Sequence, residues 1–145
     1  MSEEIKNKVM DYMSEHNICS LATVRGDEFP QVNTVEYVND NLTLYFATDP
    51  NSQKVKNIRE NSKVSLTIDE DYADWSKIQG ISLGGNAKII SDEKMIEKVG
   101  GLYIGKFPFV ADFPETELLW IEVTPTVISW LDYTVEFGHH VLVEV

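Results

Sequence analysis

Thr48, Ser52 and Lys54 lie close together in the stretch "YFATDPNSQKVKNI" (45–58). Two hydroxyls and an ammonium at that spacing suit one kind of chemistry, the holding of an anion. An apolar run stops at Thr48, a turn follows, and a helix begins at Asn51 or Ser52. The first turn of a helix offers unpaired N–H groups and the positive end of the backbone dipole. That dipole opposes Lys54 by about 0.3–1 kcal/mol unless an anion is bound beside it. From these residues alone a plainer reading is favoured. In it, Asn51 or Ser52 only caps the helix, and Lys54 is a solvated lysine near Asp49.

Other groups that could do chemistry are less well placed. His139 and His140 are adjacent, so on an extended chain they point to opposite sides, and no carboxylate or cysteine stands at ligand spacing from them. No metal site is expected. "DEDYAD" (69–74) lacks the glycine and closing glutamate of a calcium loop and reads as a solvated acidic loop. Cys19 opens an apolar run, where a thiol usually serves as a small hydrophobe. No G-x-S-x-G elbow occurs, and "GGLYIG" (100–105) lacks the strand–turn–helix setting of a dinucleotide site. Trp75, Trp120 and Trp130 suit a core, an interface or a flat ring.

The elements that must position these groups are short. Ile5, Val9 and Met13 recur every four residues and predict an amphipathic helix over 3–16. "ICSLATV" (18–24), "PQVNTVEYV" (30–38) and "LTLYFAT" (42–48) read as three strands joined by turns at 25–28 and 39–41. A helix over 51–61 follows, then a strand at 63–69 and a long strand at 78–91, bent or bulged at Gly84-Gly85. "DEKMIEKV" (92–99) predicts a short helix ended by Gly100-Gly101. Segments 117–123 and 127–133 are two further strand pieces flanking Thr124-Pro125, and the last twelve residues carry no clear pattern. The fold expected is mainly β with short peripheral helices: one domain over 1–145, built as a six-stranded antiparallel, Greek-key-like barrel. Closure would remove exposed strand edges.

Composition narrows the function. The chain has 145 residues, 43% hydrophobic and 25% charged, with a formal net charge of -12. So acidic a chain, with only two arginines (Arg25 and Arg59), does not fit a nucleic-acid binder or an anionic membrane surface. No apolar run approaches bilayer-spanning length, the N-terminus is acidic and mixed, and the single cysteine forms no internal disulfide. A cytoplasmic location is expected.

The order of parts resembles the flavin-binding split-barrel proteins related to pyridoxamine 5'-phosphate oxidase. The likeness runs through "ICSLATVRGDEFPQVNTVEYV", "LTLYFATDPNSQKVKNIREN", "KVSLTI" and "GNAKII". It implies FMN as cofactor, with its phosphate on Thr48, Ser52 and Lys54. By position, Asn33, Thr34, Val35 and Glu36 would run beside the flavin, largely through backbone groups. Asn33 stands where the oxidases carry arginine, and Gln79 matches part of their Gln/Arg pair with its spacing shifted by about one. The likeness also implies a homodimer with flavin at the subunit interface, which Trp130 and Tyr133 would reach from the other copy. "WLDYTVEFGHH" offers no arginine for a vitamin phosphate. The expectation is therefore a flavin-dependent oxidoreductase with a small-molecule donor and acceptor, not a true vitamin oxidase. The alternatives are an FMN carrier, electron-transfer module or sensor, and a flavin-free dimeric barrel. On this scaffold the resemblance also admits haem or a deazaflavin. Redox chemistry can rest on the cofactor, so no catalytic acid or base is named.

Overall fold

The computed structural model describes residues 2–114 and 116–145. Three helices, α1 (Glu3–Glu15), α2 (Gln53–Glu60) and α3 (Glu93–Lys106), flank one antiparallel sheet. Its strands are β1 (Ile18–Val24), β2 (Pro30–Glu36), β3 (Val38–Asp40), β4 (Thr43–Thr48), β5 (Lys63–Ile68), β6 (Gln79–Ile89), β7 (Leu119–Asp132) and β8 (His140–Glu144). They run in the order β2-β1-β5-β6-β7-β4-β3, with β8 pairing β7. The sheet curls into a half-barrel, so the expected class holds, with eight strands instead of six.

Two differences make up the count. The strand read over 30–38 breaks at Tyr37, which is fully buried and donates its hydroxyl to Met13 O at 2.6 Å. Its own N–H goes to Asn17 O at 3.2 Å. That capture by the end of α1 turns the chain, and Val38–Asp40 pairs β4 instead of β1. β8 escaped prediction because Val141, Leu142 and Val143 are apolar in succession, although half-buried and exposed positions alternate along it and none is fully buried.

The inner face holds the larger core. α1 lays Val9, Tyr12 and Met13 against Leu21, Phe46, Leu66, Leu83 and Ile121, all at most 4% exposed. Each such side chain contributes about 1.5–3 kcal/mol through burial. On the outer face α3 packs Val99 and Phe107 over Val38, Tyr45 and Ile90.

α3 continues through Gly100 and Gly101, where the sequence predicts a stop. Each glycine costs about 1 kcal/mol against alanine in a helix. Packing outweighs that cost: Leu102 and Tyr103 join the outer cluster, and Lys106 closes the last turn. Its ammonium donates to Met13 O, His16 O and Tyr37 O and lies 4.2 Å from the Tyr37 ring centroid. The lysine thereby satisfies carbonyls left open at the end of α1. Burial pushes its pKa down to about 8.

The two pieces expected around Thr124-Pro125 are one strand, β7. Register shifts at Gly84/Gly85, where Gly84 pairs Val127 and Gly85 pairs Pro125. This bulge admits a proline, which has no N–H to give to the ladder. A Cβ at Gly85 would lie 2.4 Å from Thr124 O. Gly85→Ala is therefore expected to destabilise the fold by about 1–3 kcal/mol. Chemical denaturation reads this as a lower midpoint at constant slope, and an unchanged midpoint would refute the crowding.

Candidate functional site

The end of β4 and the start of α2 bring the three anion-suited residues together. Leu44, Phe46 and Thr48 alternate toward the inner face, which leaves Thr48 only 7% exposed at the strand's end. The chain then turns: Asn51 N–H donates to Asp49 Oδ1 at 2.8 Å, and Ser52 N–H to Asp49 O at 3.0 Å. Ser52 is the N-cap, with Oγ accepting from Val55 N–H at 3.4 Å. Its hydroxyl lies 3.3 Å from Thr48 Oγ1, and Lys54 Nζ donates to that oxygen at 3.1 Å.

Lys54 is half-buried, and among the described residues no carboxylate lies within ion-pair distance of it. No acidic residue occupies the first turn of α2. An ammonium, two hydroxyls and a helix start thus converge without a counter-charge. That donor set suits a phosphate group.

A buried network, not foreseen from sequence, fixes α2 in place. Asn57, 1% exposed, donates to Thr23 Oγ1 at 2.9 Å and Gln31 Oε1 at 3.4 Å. Its Oδ1 accepts from Gln53 Nε2 at 2.8 Å, and Gln31 Nε2 donates to Asn33 Oδ1 at 3.0 Å. Asn33 is thus tied through Gln31 and Asn57 to the helix that carries Lys54. The available signal was an asparagine between Val55 and Ile58, on the helix face read as apolar.

The rest of β2 divides by face. Val35 is buried in the inner core, while Thr34 and Glu36 are exposed on the outer face. Gln79, Trp130 and Tyr133 lie elsewhere. Thr48 pairs with Leu119 at the first residue of β7, and Gln79 pairs with Asp132 at its last. At about 3.3 Å per residue, roughly 40 Å of strand separates the two groups. The structure therefore does not gather the predicted residues around one point of one chain.

At that far end, Trp130 is 2% exposed and packs edge-on to Tyr12, with ring centroids 5.5 Å apart. Its Nε1 has no hydrogen-bond partner among the described residues. Tyr133 donates its N–H to Ile78 O and sets its ring against Phe137. Gln79 Nε2 donates to Asp132 Oδ1 at 3.2 Å, and Thr134 supplies both its N–H and its hydroxyl to the same oxygen. Burial alone would raise the Asp132 pKa, but the bonds from Thr134 and Gln79, with Lys8 nearby, bring it below the ordinary value of 3.8.

A depressed carboxylate stabilises the fold above its unfolded pKa, and the contribution is lost as pH falls through the folded one. Asp132→Asn is expected to cost about 1–3 kcal/mol at pH 7. The gap from the unaltered chain should close below pH 4, where acid would neutralise the wild-type group. A stability gap independent of pH would show that the charge does not matter.

His139 lies in the β7–β8 connection and His140 opens β8, where its Nδ1 lies 3.1 Å from Gly138 O. Among the described residues no three metal-ligating side chains cluster, and no helix is long and apolar enough to cross a membrane. Cys19 is buried, and that burial pushes its thiol up to about 12.

Residues 5–127 match the family model described as pyridoxamine 5'-phosphate oxidase. The chain belongs to this family. Its relatives include general stress protein 26 of Bacillus subtilis, 27% identical over 83% of this chain and 84% of that one. Solved structures of similar fold include the haem storage protein HutZ of Vibrio cholerae, at TM-score 0.71 and 15% identity over 82% of this chain and 88% of that one. Another is a FAD-binding protein of Mesorhizobium loti, at TM-score 0.68 and 15% identity over 86% and 90%. The fold is thus shared with proteins named for different cofactors.

Proposed function

We propose that this member of the pyridoxamine 5'-phosphate oxidase family is a cytoplasmic FMN-binding protein that works as an oxidoreductase. The observation that carries the reading is the convergence of Thr48, Ser52 and Lys54 at the start of α2, with no carboxylate among the described residues neutralising the lysine. Those residues would hold the cofactor's phosphate. Asn33, Thr34, Val35 and Glu36 would run beside the flavin, whose ring supplies the electron transfer when bound.

A homodimer completes the proposal. Gln79, Trp130 and Tyr133 lie too far along β7 from Thr48 to meet the same flavin within one chain. A second copy can bring Gln79 and Tyr133 to it, while Trp130, 2% exposed, stays in its own chain's core behind them. The protein's part is to orient the ring and keep water from it. The substrate is not a vitamin phosphate, because that would need a second anion site. The chain's only arginines are Arg25 and Arg59, and neither lies in the C-terminal strands.

The decisive measurement is the visible spectrum of the purified protein. Flavin absorbance, with FMN released on denaturation, supports the reading. A Soret band would replace FMN with haem, the ligand in the name of the Vibrio cholerae relative. Anaerobic reduction by NADH or NADPH, followed by reoxidation with an added acceptor, then separates an enzyme from a flavin carrier or sensor. A colourless protein that does not take up FMN would leave only a flavin-free barrel.

A further inference from the structure

The outer face carries a cavity that the phosphate site does not use. It lies where α3 and the 3-10 helix Pro108–Asp112 meet the starts of β1 and the ends of β2 and β4. Its volume is about 530 Å³, within the range of small-molecule pockets. Ile18, Tyr103, Phe107, Phe109 and Phe113 form much of its wall. The aromatic rings follow one another at tilted or edge-on angles, with centroids 5.1, 6.1 and 5.8 Å apart from Tyr103 to Phe113.

Phe109 is 57% exposed and Phe113 62%, so this wall is apolar surface left open. Among the described residues Glu36 is the one charged residue in the lining, and Tyr103 donates its hydroxyl to Glu36 O at 3.4 Å. The cavity also touches Ala47. Its floor is therefore one residue from Thr48 on β4 and includes Glu36 beside the proposed flavin strand.

We infer that this cavity is the subsite for the second reactant, a flat aromatic molecule that is neutral or cationic, and that Glu36 excludes anions from it. The aromatic wall offers stacking and edge-on contact to a flat ring. The Glu36 carboxylate repels a sulfonate or phosphate, and among the described residues no basic side chain of the lining offsets it. This deepens the flavin reading and rests on it for the ring's position only. The cavity and its charge stand on their own geometry.

The test uses 1,4-naphthoquinone and its 2-sulfonate, titrated by calorimetry into the full-length protein with and without saturating FMN. The neutral quinone should bind about fivefold more tightly than the sulfonate at low salt, and the gap should shrink as salt rises. Glu36→Gln should narrow that gap. Phe109→Ala with Phe113→Ala should weaken the neutral quinone about tenfold, with FMN affinity and melting temperature unchanged.

Equal affinity for the two probes would overturn the proposal. So would neutral binding that FMN abolishes, since the quinone would then sit in the ring's place. A third contrary result is an oligomer that falls apart in the phenylalanine variants while quinone binding persists, which would make the wall a contact between copies. FMN affinity is read separately. If no FMN binds, the two probes without it still test the cavity, so the failures of the two readings can be told apart.

Discussion

Lys54→Ala is expected to bind FMN about 10- to 150-fold more weakly than the unaltered chain, a loss of about 1.5–3 kcal/mol. Among the described residues the ammonium has one partner, Thr48 Oγ1, and it sits where the dipole of α2 disfavours it. A dianionic phosphate would change both facts together, neutralising the lysine and accepting from the two hydroxyls. Removing the ammonium therefore removes a charge-assisted contact made only in the complex. Folding stability should hardly change, because the lysine is half-exposed and in no ion pair among the described residues. Fluorescence titration with FMN checks the affinity, and thermal melting checks the fold. Lys54→Arg should retain more affinity than Lys54→Ala, since it keeps the charge. Equal FMN affinity in the alanine variant and the unaltered chain would place the phosphate elsewhere.

Asn57→Ala is expected to cost about 2–3 kcal/mol of folding stability. Asn57 is the shared partner of Thr23, Gln31 and Gln53, and Thr23 is itself 1% exposed. Truncation leaves the Thr23 hydroxyl without its amide partner in a dry place and frees Gln53 and Gln31 from their anchor. The second consequence reaches the site, since Gln31 holds Asn33 and Gln53 opens α2. FMN affinity should fall in the same variant even though Asn57 does not line the anion site. Chemical denaturation gives the first effect and flavin titration the second. A cost below about 0.5 kcal/mol would mean that these polar groups find other partners, and the network would lose its role as support.

The contrast between these two sites explains what could be read from the residues. Thr48, Ser52 and Lys54 belong to one strand-to-helix passage, so a shared anion site could be read there, although the residues alone left Lys54 as a solvated lysine open. The β1–β2 hairpin was legible for the same reason and Gly84-Gly85 announced the bulge, but Asn39 and Asp40, read as turn, belong to β3. Asn57 was hidden because its partner Thr23 is 34 positions away, on a strand whose placement against α2 only the closed sheet decides. Lys106 was hidden in the same way. Two glycines argue locally for a helix end, and the carbonyls that hold the extended helix belong to α1 and Tyr37. Pro125 argues locally for a break, and only the partner strand's bulge accommodates it. In each case a distant partner overrode a local preference.

The β4–β7 pairing joins residues more than 70 positions apart, from Thr48 with Leu119 to Leu44 with Val123. Every other strand pair connects segments closer in the chain. Loop-closure entropy grows with the length of chain enclosed. The half-barrel therefore has one seam whose closure forfeits more chain freedom than any other. The strand that ends at Thr48 forms one side of that seam.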